Sequence, residues 1–270
     1  MGEDIKNNTF GQARDKIYND LADVAEVTSL PDNPVRIVDK LVLAAGTVSC
    51  ENVKTAIVCP PTVYGTGRGP CNYRSHQIPA LCKSTLERSR GLTVNKGKNL
   101  WGNVHVSDLS KLYLSLAETA ANGIASYAGK TTVWGPSGYF FCEAGEHVWS
   151  DAATWISEEA YKLGLIESQD VESITPEQAN QLTYWGSGLW GGNSRSRAKR
   201  ARAVFNWSPT GPSLRDEIQS SVLAEAELLG LEVCPCRKRG RPVEGDVGGV
   251  PKWRRIGAES LNTRSTAIEV

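Results

Sequence analysis

The sequence predicts an α/β protein whose doubly wound parallel sheet is incomplete, followed by a small, mostly helical C-terminal subdomain and a disordered tail. Three observations carry this. Apolar runs of strand length alternate with helical periodicities, the pattern of parallel strands joined by crossover helices. Three or four such runs are convincing, whereas a complete doubly wound sheet uses about six strands. After Gly230 the composition turns to Arg, Gly and Pro with no period, which favours disorder.

Residues 1–16 are polar and unpatterned. A periodic segment from Tyr18 to Leu30 stops at Pro31, and a second helix is expected from Val35 to Ala45 with Gly46 as its C-terminal stop. Lys54 to Cys59 reads as a buried strand that Pro60-Pro61 ends abruptly, and Thr62 to Asn72 as a Gly- and Pro-rich loop. Ser75 to Arg90 reads as a helix and Asn103 to Val106 as a short strand. Ser107-Asp108 can cap the long amphipathic helix that ends near Gly123. Gly138 to Cys142 is a further strand, and Ser150 opens a helix to Leu163. Thr175-Pro176-Glu177 has the chemistry of a helix N-terminus, an oxygen-bearing cap followed by Pro in the first turn. The last two helices span Ser194 to Phe205 and Ser213 to Leu229.

Thirty basic residues balance thirty acidic ones, so net charge points to neither a nucleic-acid nor a membrane partner. The longest apolar runs are far too short to cross a bilayer, and Met1-Gly-Glu-Asp does not open a secretory leader. The seven scattered cysteines fit reduced thiols in a cytoplasmic protein. Cys234-Pro-Cys236 is the one close pair, and no histidine stands at a spacing that would complete a metal site, so no metal is expected. The expected partner is a small-molecule substrate, with a homodimer as a possible assembly.

Three blocks in fixed order carry a resemblance. They are Val53-Lys-Thr-Ala-Ile-Val-Cys-Pro-Pro-Thr-Val-Tyr-Gly65, then Asn103-Val-His-Val-Ser-Asp-Leu109, then Arg202-Ala-Val-Phe-Asn-Trp-Ser-Pro209. Over Tyr18 to Leu229 the chain resembles the extended and atypical short-chain dehydrogenase/reductases, the NAD-dependent epimerase/dehydratase group. The resemblance implies a Rossmann-like domain over 1–122, a substrate-side subdomain over 123–230 and a tail over 231–270. It implies NAD or NADP as cofactor, and oxidation or reduction at an alcohol, aldehyde or nucleotide-sugar carbon. By match, Pro60, Thr62 and Val63 would touch the nicotinamide. The plainer alternative is that Pro-Pro ends a strand and Tyr64 packs locally.

The resemblance also places Lys40 at the lysine of the family's Tyr-x-x-x-Lys pair, where an ammonium holds the nicotinamide ribose and lowers the tyrosine pKa. Arg36 then occupies the tyrosine position, and a guanidinium cannot exchange a proton at neutral pH. The glycine-rich turn that opens such a fold has no counterpart before Gly46. Gly65-Thr-Gly67-Arg-Gly69 follows the wrong strand, and Pro70 stands at the third glycine position. Whether the chain is an enzyme is therefore left open. A binding or regulatory relative without catalysis is the second reading.

His105 falls near the substrate pocket by resemblance, and a hydrogen-bonded core role is its alternative. Asp108 is expected to complete the helix start. Arg195 opens a basic run to Arg202 that could meet a substrate diphosphate or form a solvated helix face. Arg237 to Pro242 resembles the core of an AT-hook, a weak pointer to A·T-rich DNA.

Overall fold

The computed structural model describes residues 2–29, 36–48, 52–70, 72–123, 126–127 and 131–233. The first half of the chain forms α1 (Gly2–Asn7), β1 (Tyr18–Asn19), α2 (Val24–Thr28), α3 (Ile37–Val48), β2 (Ile57–Cys59), β3 (Thr62–Tyr64), α4 (Gln77–Arg88), β4 (Gly91–Val94), β5 (Leu100–His105) and α5 (Val106–Ala121). The second half forms β6 (Ser126–Tyr127), β7 (Thr131–Thr132), β8 (Tyr139–Phe141), β9 (Gly145–Val148), α6 (Trp149–Lys162), β10 (Val171–Ile174), α7 (Pro176–Leu182), α8 (Gly186–Gly191), β11 (Ser196–Arg197), α9 (Lys199–Phe205) and α10 (Ile218–Leu228).

Parallel pairing dominates, as the alternation of elements predicts. β2 runs parallel to β8, β3 to β5, β4 to β10 and β1 to β11. β9 joins the other edge of β5 antiparallel, with Gly102 opposite Glu146. Side chains alternate across a strand, so β5 feeds two cores at once. Trp101 enters a cluster with Leu92, Trp149, Ile156, Trp190 and Val222. Val104 enters another with Leu112, Val133, Phe140, Val204 and Trp207. Both clusters draw residues from either side of residue 122.

The structure alters several expected elements. Tyr18 does not start a helix: it pairs with Ser196 in β1, and the helix begins at Val24. Gly46 does not stop α3. It lies buried inside the helix, where a Cβ would come 2.0 Å from Thr55 Oγ1, so it permits close packing instead. Thr62 to Tyr64, expected as loop, re-enter the ladder beside β5 once Pro60 and Pro61, which lack N–H donors, are passed. β4, β9 and β10 have no counterpart among the expected strands.

Residues 1–16 are also more than polar linker. The buried Asp4 carboxylate accepts from Asn193 N–H at 3.1 Å and Arg14 Nε at 2.7 Å. Gly11 N–H donates to Gly191 at 2.7 Å, and Lys98 N–H donates to Gly11 at 2.9 Å. This segment is a strap laid over α8 and the β4–β5 connection.

The helix expected from Ser194 instead begins at Lys199, and its neighbours Ser196 and Arg197 form β11. The basic run is not a solvated face either. Arg195 grips Glu146 with two hydrogen bonds of 2.6 and 3.0 Å, and Arg202 reaches Glu143 at 3.3 Å. Arg200 is buried, and its backbone N–H donates to Asp20 at 2.8 Å. The last helix starts at Ile218; Ser213 caps a turn before it through Asp216, with its Oγ 2.6 Å from the carboxylate. Thr175 does cap α7, as expected, and the structure adds a capping box with Gln178. The segments at 30–35 and 231–270 include Pro31, Cys234, Cys236 and the Arg237–Pro242 motif. Apart from residues 231–233, they lie outside the described residues.

Candidate active site

The candidate site is assembled in chain order. α3 carries Lys40, half-buried, and leads through residues 52–56 into β2. β2 is a short apolar strand, Ile-Val-Cys, held on one edge by β8. At its carboxyl end Pro60 is exposed and Pro61 half-buried, so the backbone leaves the sheet where ligands of open parallel sheets collect. Val63 then pairs with Val104 and packs against the second core. Thr62 is fully buried, and its hydroxyl donates to Gln77 Oε1 at 3.0 Å. Its side chain is thus committed to α4, and its backbone to the ladder with Asn103.

Arg36 sits one turn before Lys40 and is tied on three sides. It donates to the Val27 carbonyl at 3.2 Å, to Asp39 at 2.9 Å and to the Tyr139 hydroxyl at 3.1 Å. Tyr139 comes from β8 and is buried, and burial pushes its phenol well above the ordinary tyrosine value, as does the neighbouring Cys59. Burial likewise raises the Cys59 thiol, which bonds to Tyr139. These groups hold their protons at neutral pH, so the cluster has no exchangeable acid of matched pKa. Tyr139 is the contact that sequence reasoning missed; it lies 103 residues from Arg36, and no local signal announces it.

Tyr64 closes β3. Its hydroxyl donates to the Pro212 carbonyl at 2.8 Å, and burial, aided by the charges of Asp108, Glu217 and Asp216, pushes its pKa up to about 12. His105 stands opposite Tyr64 in register, with its ring edge-on at 5.5 Å between centroids. Its Nδ1 accepts from Ser107 N–H at 3.2 Å, so His105, not Ser107, caps α5. Its Nε2 lies 3.9 Å from Glu217 Oε1. Gly65 then turns at φ +84°, where a Cβ would come 2.3 Å from that same nitrogen.

Asp108 is buried one turn into α5. It accepts from Gly211 N–H at 2.8 Å, from Thr210 N–H at 3.1 Å and from Lys111 at 2.9 Å. It does not merely complete the helix start; it anchors the 207–211 turn, with Trp207 Nε1 donating to its backbone carbonyl at 2.9 Å.

The β3–β5 ladder puts Tyr64 beside His105 and Val63 beside Val104, with Thr62 and Val63 on opposite faces of the strand and Pro60 two residues before it. Arg195 stands apart, paired to Glu146 on β9, and that guanidinium holds the carboxyl below the usual range. Among the described residues no group of three or more His, Cys, Asp or Glu is placed to hold a metal ion, and no helix is long and apolar enough to cross a membrane.

No family profile matches the chain. A named protein does: oxidase ucsJ of an Acremonium species is 40% identical over 232 residues, spanning 85% of this chain and 67% of that protein. The chain belongs to the same family as that oxidase. The fold of this family member is also found in the UDP-glucuronic acid 4-epimerase of Bacillus cereus, solved with UDP-glucuronic acid and NAD. The TM-score is 0.53 at 14% identity, covering 82% of this chain and 59% of that one. A variant of the same epimerase, bound to a 4-deoxy-4-fluoro substrate analogue and NAD, gives a TM-score of 0.52 at 14% identity and the same coverage. The chain thus spans less than two-thirds of the epimerase, 59% of its length.

Proposed function

We propose that this chain supplies the nicotinamide-side loop and the substrate-side portion of an NAD(P)-dependent oxidoreductase or epimerase acting on an alcohol, aldehyde or nucleotide-sugar carbon. The observation that carries the reading is the succession α3–β2–Pro60–Pro61, in which a lysine-bearing helix feeds a parallel strand released at its carboxyl end. Bound there, a nicotinamide would supply or accept the hydride. Lys40 would hold its ribose, and Pro60, with Thr62 and Val63 behind it, would wall its ring. A pyrophosphate cradle is not among the described residues: Gly67 N–H is bonded to the Tyr73 carbonyl at 2.9 Å and opens no helix.

Two features support a larger sheet around this site. Among the described residues β2 is paired on one edge only. On α3, Ile37, Val38, Leu41 and Val48 are 58 to 85% exposed, more apolar surface than a solvated helix carries. Further strands and a covering element would satisfy both; a homodimer would cover the helix but not pair the strand.

The test joins this chain to the part of the Acremonium oxidase that it does not span and follows NAD(P)H oxidation with a panel of aldehydes and ketosugars. Turnover is expected, and Lys40→Ala should lower kcat by about 100-fold or more. Equal turnover in that variant would remove Lys40 from the site; no turnover and no NAD(P)H binding in the fusion would remove the reading.

One observation favours a second reading, a binding or regulatory relative without catalysis. Arg36, which the resemblance puts at the proton-transfer position, is locked by Tyr139, Asp39 and Val27. Under that reading the fusion binds NAD(P)H without turnover.

A further inference from the structure

A cavity of about 340 Å³ opens between the start of the loop after β3 and the last turns of α10, lined among others by Thr66, Tyr73, Arg74, Ser221, Glu225 and Glu227. Glu225 is 3% exposed, and its carboxylate is bonded to Arg74, which is 45% exposed and belongs to the loop. A buried carboxylate needs a positive partner whatever the loop does, because leaving one charge buried alone is strongly unfavourable. Here that partner is borne on a segment folded back on itself by the Gly67–Tyr73 backbone bond and the Arg74–Asn72 turn. Any ligand that opens this latch must therefore bring a positive charge of its own.

The rest of the lining agrees. Once Arg74 leaves, the charges lining the cavity are Glu225 and Glu227. Ser221 Oγ donates to the Glu217 carbonyl at 3.0 Å, which leaves its lone pairs to accept from a ligand N–H. Tyr73 is 58% exposed and offers an aromatic face of the kind that attracts organic cations.

We propose that this cavity is a binding site for a small organic cation bearing a guanidinium or primary ammonium group, with Glu225 as counter-ion and Arg74 as the internal occupant that the ligand displaces. The site is separate from the nicotinamide-side loop but continuous with it, since Gly65 lines the cavity and packs against His105.

The probe is agmatine, titrated calorimetrically into the full chain at constant ionic strength, with neutral N-butylurea as the uncharged control. Removing an internal competitor raises apparent affinity by the inverse of the fraction in which the site was open. Arg74→Ala should therefore bind agmatine at least about tenfold more tightly than the parent chain. The double variant Arg74→Ala/Glu225→Gln should lose that gain, and none of the chains should bind N-butylurea. If Arg74→Ala is too unstable to titrate, agmatine but not N-butylurea should restore its thermal transition. The proposal is overturned if Arg74→Ala shows neither tighter binding nor rescue, or if the gain survives Glu225→Gln.

Discussion

Asp108→Asn tests whether a single buried carboxylate fixes the turn over α5. In the parent chain both oxygens are occupied by N–H donors of Thr210 and Gly211, with Lys111 adding a third bond at 2.9 Å. The amide keeps one acceptor and turns an NH₂ towards the other donor. Hydrogen bonds to a charged group contribute about 1.5–3 kcal/mol, and a donor left unpaired costs about 1–3 kcal/mol. Lys111 is half exposed, so its share is screened to about 0–1 kcal/mol. The sum is a loss of about 2.5–7 kcal/mol, which at about 2–4 °C per kcal/mol for a folded body of this size lowers Tm by roughly 5–28 °C. Burial opposes ionisation of Asp108, yet the bonds from Lys111, Thr210 and Gly211 outweigh it and hold the carboxyl below its ordinary value of 3.8. A carboxyl with a depressed folded pKa stabilises above its unfolded pKa, and that contribution is lost as pH falls through the folded value. Differential scanning calorimetry of both chains should thus show the full gap at pH 7 and a shrinking one below the ordinary carboxylate range. A variant within about 0.5 kcal/mol of the parent at pH 7, the range of an unremarkable surface change, would refute the reasoning.

Two further outcomes can be read by unfolding experiments. Burial lowers the His147 pKa from 6.5 to about 4, so the unfolded chain binds the proton first and stability declines as pH falls from 6.5 towards 4. The decline from this group reaches about 3 kcal/mol, and His147→Gln should flatten the urea-unfolding profile across that window. Gly65→Ala should cost about 2–4 kcal/mol in Tm-derived stability, because a Cβ meets the His105 ring at a backbone angle that L-residues rarely adopt. A substitution there without effect on the transition would mean that the turn is not held as described.

The parts of the fold legible in the sequence are those whose cause is local. Pro60-Pro61 ends β2 because proline lacks a donor, and Thr175-Pro176 starts α7 because the capping oxygen and the helix-compatible proline are adjacent. The missed strands share another property. β4 needs β10, which begins 80 residues later, to make Gly91 to Val94 a strand at all. The basic run misled for the same reason, since Glu143, Glu146 and Asp20, which neutralise it, lie far away in sequence. At the candidate site, the loop was legible as a motif. Its tethering was not: Thr62 to Gln77, His105 as a cap and Arg36 on Tyr139 are side-chain choices made by the packed structure.

The strap formed by the first residues has a consequence for how the protein is made. Asp4 and Asn193 are 189 positions apart, and Tyr18 waits for Ser196 to form its ladder. A ribosome adding about 5–20 residues per second takes about 10–40 s to travel that distance. Until then the strap has neither Asn193 nor α8, which at residues 186–191 is made only just before it, to pack against. Completion of this fold is therefore a late event in synthesis, limited by the arrival of a distant partner rather than by any local helix or hairpin.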